Sequence, residues 1–284
     1  MQKEFAFFPG CVLTQAAIEA KMSIEAIAPI LGITLKEIKG WSCCGASQAQ
    51  DVDPVATLVA NARNIALAEQ MKLPMLTTCS TCLLMLRRAK AQLDHGQKEK
   101  INTFLAKGNM TYEGSSEVTS LLWLLAQNAE ELKSKVKNPL SKLKVAVFYG
   151  CHTLRPEHDL GFESSVNPTS FETVVRALGA EVVPFTKRLD CCGFHAVYPA
   201  EKSVMKMTSG IVNSAAESKA DCVVTPCPLC QMQLDIYQDD AQDTTKSKAR
   251  VPVIHLSQLV GLALGIEAKK LGLDYNVIDA SKLA

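Results

Sequence analysis

Phe5-Ala6-Phe7-Phe8-Pro9-Gly10-Cys11 and Val145-Ala146-Val147-Phe148-Tyr149-Gly150-Cys151 carry one pattern twice: a short apolar run, one bulky ring, then Gly-Cys. A run of this length and composition, stopped by glycine, reads as a buried strand. Each cysteine then lies just beyond the carboxyl end of its strand. Outward from these two runs, the order of features is shared. Ile18 to Leu31 and Ser170 to Leu178 have helical spacing and end at Gly32 and Gly179, where helices commonly stop. The pairs Cys43-Cys44-Gly45 and Cys191-Cys192-Gly193 follow. Helical stretches Pro54 to Lys72 and Ala200 to Lys219 come next, then the short runs Met75 to Thr77 and Cys222 to Thr225. These lead into Cys79-x-x-Cys82 and Cys227-x-x-Cys230, and Val118 to Leu125 is echoed by Ile254 to Leu262.

Between the single cysteine and the Cys-Cys pair lie 31 residues in the first half and 39 in the second; between the pair and the Cys-x-x-Cys lie 34 in both. A long repeat of this kind means two copies of one domain. The length of 284 residues agrees, since it suits two ordinary domains. Alternating strands and helices predict an α/β fold with parallel sheets, and ligands gather at the carboxyl ends of such strands. The polar stretch Leu132 to Leu143 is the expected linker, giving domains 1–138 and 139–284. A second polar stretch, Gln238 to Arg250, reads as a solvated loop.

Lys plus Arg number 30 and Asp plus Glu 29, a formal net charge of +1 that carries no nucleic-acid footprint. Neither a Gly-x-Gly-x-x-Gly nor a Gly-x-x-x-x-Gly-Lys-Ser/Thr pattern occurs, so no bound nucleotide is expected. Met1 to Phe5 hold no basic or apolar export region, and the longest apolar run, Leu121 to Ala126, is far too short to span a bilayer. The expectation is therefore a cytoplasmic chain with no membrane span of its own, able to meet a membrane only through a partner.

Eleven cysteines in such a chain point to metal ligation or redox chemistry, because a reducing compartment disfavours structural disulfides. Ten fall into the repeat: Cys11, Cys43, Cys44, Cys79 and Cys82, then Cys151, Cys191, Cys192, Cys227 and Cys230. Cys222 aligns with Pro74 and reads as a small apolar residue on a strand. Zinc needs four ligands, and an ordinary cubane cluster takes four cysteines. Five thiols per half suit a larger or less regular cluster with a bridging sulfur. Zinc and dithiol–disulfide chemistry stay open as alternatives.

The twice-repeated Cys…Cys-Cys-Gly…Cys-x-x-Cys frame, with Gly45 and Gly193 in place, resembles the cysteine-rich CCG domains in the B subunit of heterodisulfide reductase. The resemblance runs from Phe5 to about Ala268 and includes Gly150-Cys151-His152-Thr153-Leu154-Arg155-Pro156. It implies two Rossmann-like domains related by a pseudo-two-fold, each holding a non-cubane [4Fe-4S] cluster on its five cysteines. It further implies reduction or formation of a disulfide between the clusters, so that the substrate is a disulfide or thiol. The chain has no ferredoxin-type cysteine run. Electrons are thus expected from a ferredoxin protein like the C subunit of heterodisulfide reductase, together with a flavin protein like its A subunit. Relatives in lactate, glycolate and succinate oxidising complexes, and in the heterodisulfide-reductase-like complexes of sulfur-oxidising bacteria, offer another role, electron transfer within a different oxidoreductase. A zinc-stapled assembly module is the third.

Three further residues are candidates for chemistry. His152 follows a repeat cysteine and His195 lies two residues after Gly193; either is able to bond cluster sulfur or pass a proton to a thiolate. Their first-half counterparts are Val12 and Ser47 or its neighbour, so the donors are asymmetric. Arg155 is placed to anchor a sulfonate, phosphate or carboxylate, or simply to brace its loop; Lys187 and Arg188 are weaker candidates for the same task. His255, at the start of a predicted helix, reads as structural. The glycines at 10, 45, 150 and 193 are expected to let backbone come close to a cluster.

Overall fold

A computed structural model describes residues 4–46 and 48–284; Met1 to Lys3, read above for export signals, and Ser47, the counterpart of His195, lie outside the described residues. The first half runs β1 (Glu4–Phe8), α1 (Gly10–Gln15), α2 (Ile18–Leu31), β2 (Thr34–Glu37), α3 (Gln48–Val52), α4 (Pro54–Gln70), β3 (Met75–Thr77), α5 (Ser80–Gln92), α6 (Lys98–Leu105), β4 (Val118–Ser120), α7 (Leu121–Gln127) and α8 (Ala129–Lys135). The second runs β5 (Lys144–Val147), α9 (Glu157–Leu160), α10 (Ser170–Ala177), β6 (Glu181–Val182), α11 (Glu201–Glu217), β7 (Cys222–Thr225), α12 (Pro228–Asp235), α13 (Gln238–Thr245), β8 (Val253–His255) and α14 (Leu256–Ala263).

Each half holds a four-stranded sheet, in the orders β2-β1-β3-β4 and β6-β5-β7-β8. All strand pairs are parallel. The order is the same in both, as the repeat requires, and the α/β class expected from sequence is the one observed. Central strands are buried on both faces, which explains why Phe5 to Phe8 and Val145 to Val147 are continuous apolar runs instead of alternating ones.

The halves interlock reciprocally. Helix α2 of the first packs on α14 of the second, and α10 of the second packs on α7 of the first. These pairs exchange equivalent elements, as a pseudo-two-fold axis between the halves demands. One core therefore runs through both sheets.

Two sequence expectations change here. The stretch from Gln238 is no solvated loop: α13 packs on α11, and Gln238, Ala241 and Gln242 are fully buried. The buried amides replace water with backbone. Gln238 donates to the Val251 carbonyl at 3.0 Å and accepts from its N–H at 2.9 Å, while Gln242 donates to the Ala249 carbonyl at 2.9 Å. Likewise α8 occupies residues 129–135 and buries Leu132, so the first part of the expected linker is helix; Glu130 and Glu131 at its start and Lys133 and Lys135 at its end suit the helix dipole. Cys222 sits on β7, fully buried, where burial pushes its thiol pKa up.

Candidate metal centres at the junction of the two halves

Each half brings its five cysteines together by the same devices. Cys11 opens the segment after β1, and Cys79 and Cys227 are the N-cap residues of α5 and α12. A Cys-x-x-Cys that begins a helix points both sulfurs toward its N-terminal N–H groups, which favour negative sulfur. In each set three sulfurs (Cys44, Cys79, Cys82; Cys192, Cys227, Cys230) are buried and the outer pair (Cys11, Cys43; Cys151, Cys191) reaches the surface side; all eleven thiols of the chain are free. The outer sulfurs lie 3.6 Å apart in the first set and 3.7 Å in the second.

Glycine makes room for the sulfur. Gly10 and Gly150 both have φ +71°, and a Cβ on either would sit 2.9 Å from Sγ of Cys82 or Cys230. A side chain there meets both backbone strain and a sulfur. The Gly45 and Gly193 N–H groups point at Cys43 and Cys191 sulfur at 3.5 and 3.4 Å. Thiol protons shared from Cys11 and Cys44 lower the Cys43 pKa, and those from Cys151 and Cys192 lower that of Cys191. The two sets titrate alike except where they touch. Cys79 and Cys227 come close across the junction: the Cys227 sulfur pushes the Cys79 pKa up, while the Cys230 and Cys79 thiols pull that of Cys227 down.

These sulfurs fit an iron–sulfur cluster better than a single ion. The first five line a cavity of about 210 Å³. Sulfurs spread round a small cavity, backed by N–H donors, are what a body of several irons requires.

A larger cavity of about 1120 Å³ opens over the second set, lined by Cys151 and Cys191 and by all three other candidates, His152, His195 and Arg155. The two imidazoles face each other with centroids 5.3 Å apart. Burial lowers the pKa of His152, favouring the neutral ring. The Arg155 guanidinium donates to the carbonyl of Leu189, so it braces the loop through backbone and not through an acid. Lys187 lines the cavity but pairs with Asp190 at 2.9 Å; Arg188 is held by Glu172 at 2.6 Å. His255 caps a helix, a structural place that agrees with its sequence reading.

Sequence reading missed Gln50 and Arg88, which the first half lends to this cavity, and Thr81, which bonds His152 from the lining of the smaller one. Thr81 carries a legible signal, for its repeat counterpart is Leu229, as that of His152 is Val12. The polar pair breaks the repeat together. The longer interval after Cys151 also has a place: its loop lays Phe162 on Trp123 at 4.6 Å and Asp159 on Arg88 at 2.8 Å.

A family model described as a cysteine-rich domain, CCG, matches residues 5–87 and 145–235. The membrane anchor subunit of the 8-methylmenaquinol:fumarate reductase of Wolinella succinogenes is 82% identical over 283 residues, 100% of both chains. A protein of Archaeoglobus profundus named as like the B subunit of heterodisulfide reductase is 32% identical over 94% of this chain and 92% of its own. The B subunit of the ferredoxin:CoB-CoM heterodisulfide reductase of Methanosarcina mazei is 30% identical over 97% and 94%. Among solved structures, a hypothetical protein from Helicobacter pylori superposes with TM-score 0.82 at 16% identity, covering 99% of this chain and 53% of that one, a likeness of fold. The relative at 82% identity is named as a membrane anchor, which overturns the expectation of a cytoplasmic chain and points to membrane association. No helix of the described residues is long and apolar enough to cross a membrane, so hydropathy carries no sign of that association.

Proposed function

The chain belongs to the cysteine-rich CCG family that includes the B subunit of heterodisulfide reductase, and from that premise we propose that it is the iron–sulfur electron-transfer component of a membrane-associated oxidoreductase complex of the quinol:fumarate reductase type. The observation that carries this reading is 82% identity along the whole chain to one component of such a complex. It replaces the disulfide-centred role expected from sequence with the electron-transfer alternative. The partners become the other chains of that complex, in place of the ferredoxin and flavin proteins of a heterodisulfide reductase. The domains are 1–138 and 139–284.

Cys11, Cys43, Cys44, Cys79 and Cys82 would hold one cluster, and Cys151, Cys191, Cys192, Cys227 and Cys230 the other. Non-cubane [4Fe-4S] clusters at these positions supply one-electron redox steps when bound. The protein's own part is to hold ten sulfurs, stabilise their negative charge with N–H groups and keep the two sets adjacent through cross-half bonds such as Thr153 to Ser80 at 2.7 Å. His152 and His195 would donate or accept the proton that accompanies a two-electron donor such as a quinol, and Arg155 would shape the entrance.

Anaerobically purified protein should hold about eight irons per chain with broad visible absorbance. The complex containing it should pass electrons from a naphthoquinol to fumarate. Zinc with little iron would refute the cofactor reading. Turnover of a CoB–CoM-type disulfide with no quinol oxidation would favour a second reading, the disulfide chemistry for which the relatives at 30–32% identity are named.

A further inference from the structure

One buried histidine does more than cap a helix. His255 ends β8, is 1% exposed, and sits where the repeat has Ser120: β4 places Ser120 beside Thr77, and β8 places His255 beside Thr225. Both residues cap the helix that follows, Ser120 accepting from the Trp123 N–H at 3.3 Å and His255 accepting through Nδ1 from the Ser257 N–H at 3.3 Å. A serine suffices for that task. The histidine does more, because its other nitrogen crosses to the opposite half.

Nε2 of His255 lies 3.2 Å from the carbonyl oxygen of Thr78, in the first half, while the strand register holds His255 itself beside Thr225, in its own half. Thr78 immediately precedes Cys79, and Thr225 lies two residues before Cys227, so the ring stands between the approaches to one cysteine of each set. Carbonyls only accept, so Nε2 carries the proton and Nδ1 is the acceptor. On the Nδ1 side the Ser257 hydroxyl lies at 2.7 Å and in turn meets Ser23 of α2 at 2.6 Å, which fixes the ring from the first half as well. Burial pushes the imidazole down to about 4, keeping this neutral tautomer over the working range of pH.

We infer that His255 is a positioning residue, a single N–H donor that ties together the backbone ahead of Cys79 and Cys227 and so sets the geometry of the two metal centres relative to each other. The inference rests on the iron–sulfur reading above. The first half has no equivalent tie, since its counterpart Ser120 caps α7 and is too short to reach across to the backbone ahead of Cys227.

The test replaces the bridge and keeps the cap. His255→Ser restores the residue the first half already uses, and His255→Asn offers another good cap. In anaerobically purified chain both should retain iron content and the thermal midpoint within a few degrees. The EPR spectra and midpoint potentials of the two centres should shift from wild type. Folded, iron-replete variants with unchanged spectra and potentials would reduce His255 to a cap and overturn the inference. Where both variants fail to fold, Ser257→Ala frees the ring without removing it. A spectral shift in that variant supports the bridge, and an unchanged spectrum with full iron sinks it. Wild-type protein lacking iron would instead strike the function reading, so the two failures are distinct.

Discussion

The hydroxyl of Thr81, on the first helix turn after Cys79, lies 2.9 Å from Nδ1 of His152, so one half of the chain orients a ring that the other half presents beside Cys151. The cavity over the second cysteine set is thus assembled from both halves, and its chemistry depends on their docking. With Nδ1 engaged, Nε2 is the nitrogen left to face a substrate or the ring of His195.

Loss of this hydrogen bond should cost activity more than stability. Thr81→Val keeps the shape and removes the hydroxyl, a loss of about 1 kcal/mol or roughly fivefold in turnover. Thr81→Ser should restore it. Steady-state rates of the complex, set beside thermal midpoints of the chain, check the claim; equal rates in the two variants would sever Thr81 from the chemistry.

A second expectation concerns pH. Glu19 at the start of α2 and Asp235 at the end of α12 are both buried; burial, with the Asp235 charge adding to it, pushes Glu19 up to about 7, and burial pushes Asp235 up to about 6. A carboxyl whose folded pKa is raised binds its proton more tightly when folded. Its contribution is favourable below the unfolded value and declines as pH rises through the folded one, here between about 4.5 and 7 for Glu19. Glu19→Gln should therefore stabilise the chain at pH 8 by roughly 2 kcal/mol and by much less at pH 5. Urea unfolding at the two pH values measures the difference, and equal shifts at both would remove Glu19 as its source.

Asp235 has a second task. Its carboxylate accepts the N–H groups of Val277 and Ile278 at 2.7 and 3.1 Å, clasping the C-terminal segment to α12. Asp235→Ala should leave those donors unpaired, cost about 2 kcal/mol and speed proteolysis after residue 276. Limited proteolysis with mass analysis reads the site of cutting; an unchanged pattern would show that the segment holds without the clasp.

The repeat makes much of this legible. Each Gly-Cys and Cys-x-x-Cys is placed by a strand that precedes it, and strands buried on both faces announce themselves as unbroken apolar runs. Polar burial does not announce itself. Gln238 and Gln242 look solvated in sequence, yet they bond backbone inside the fold, which is why α13 has the composition of a loop. Arg88 reaches a cavity whose cysteines lie in the other half, and Thr81 reaches His152 there; both contacts depend on docking that no local pattern encodes. The structural place of His255 is legible from its position before a helix; its bond to Thr78, 177 positions away, is not.

The equivalence of the two halves gives the sharpest test of the ten-cysteine reading. Gly10 and Gly150 share a φ of +71°, and a methyl group on either would sit 2.9 Å from a sulfur of its own set, Cys82 or Cys230. Gly10→Ala should then injure the first centre and Gly150→Ala the second, each at about 1 kcal/mol of backbone strain in addition to the displaced sulfur. Because the halves share one core, both variants should still fold, and each should lose about half of the iron and visible absorbance. The double variant should lose nearly all. Iron analysis of the three proteins decides the matter: full iron in both single variants would mean the sulfur opposite each glycine holds no metal, and complete loss in either alone would mean that the centres do not assemble independently.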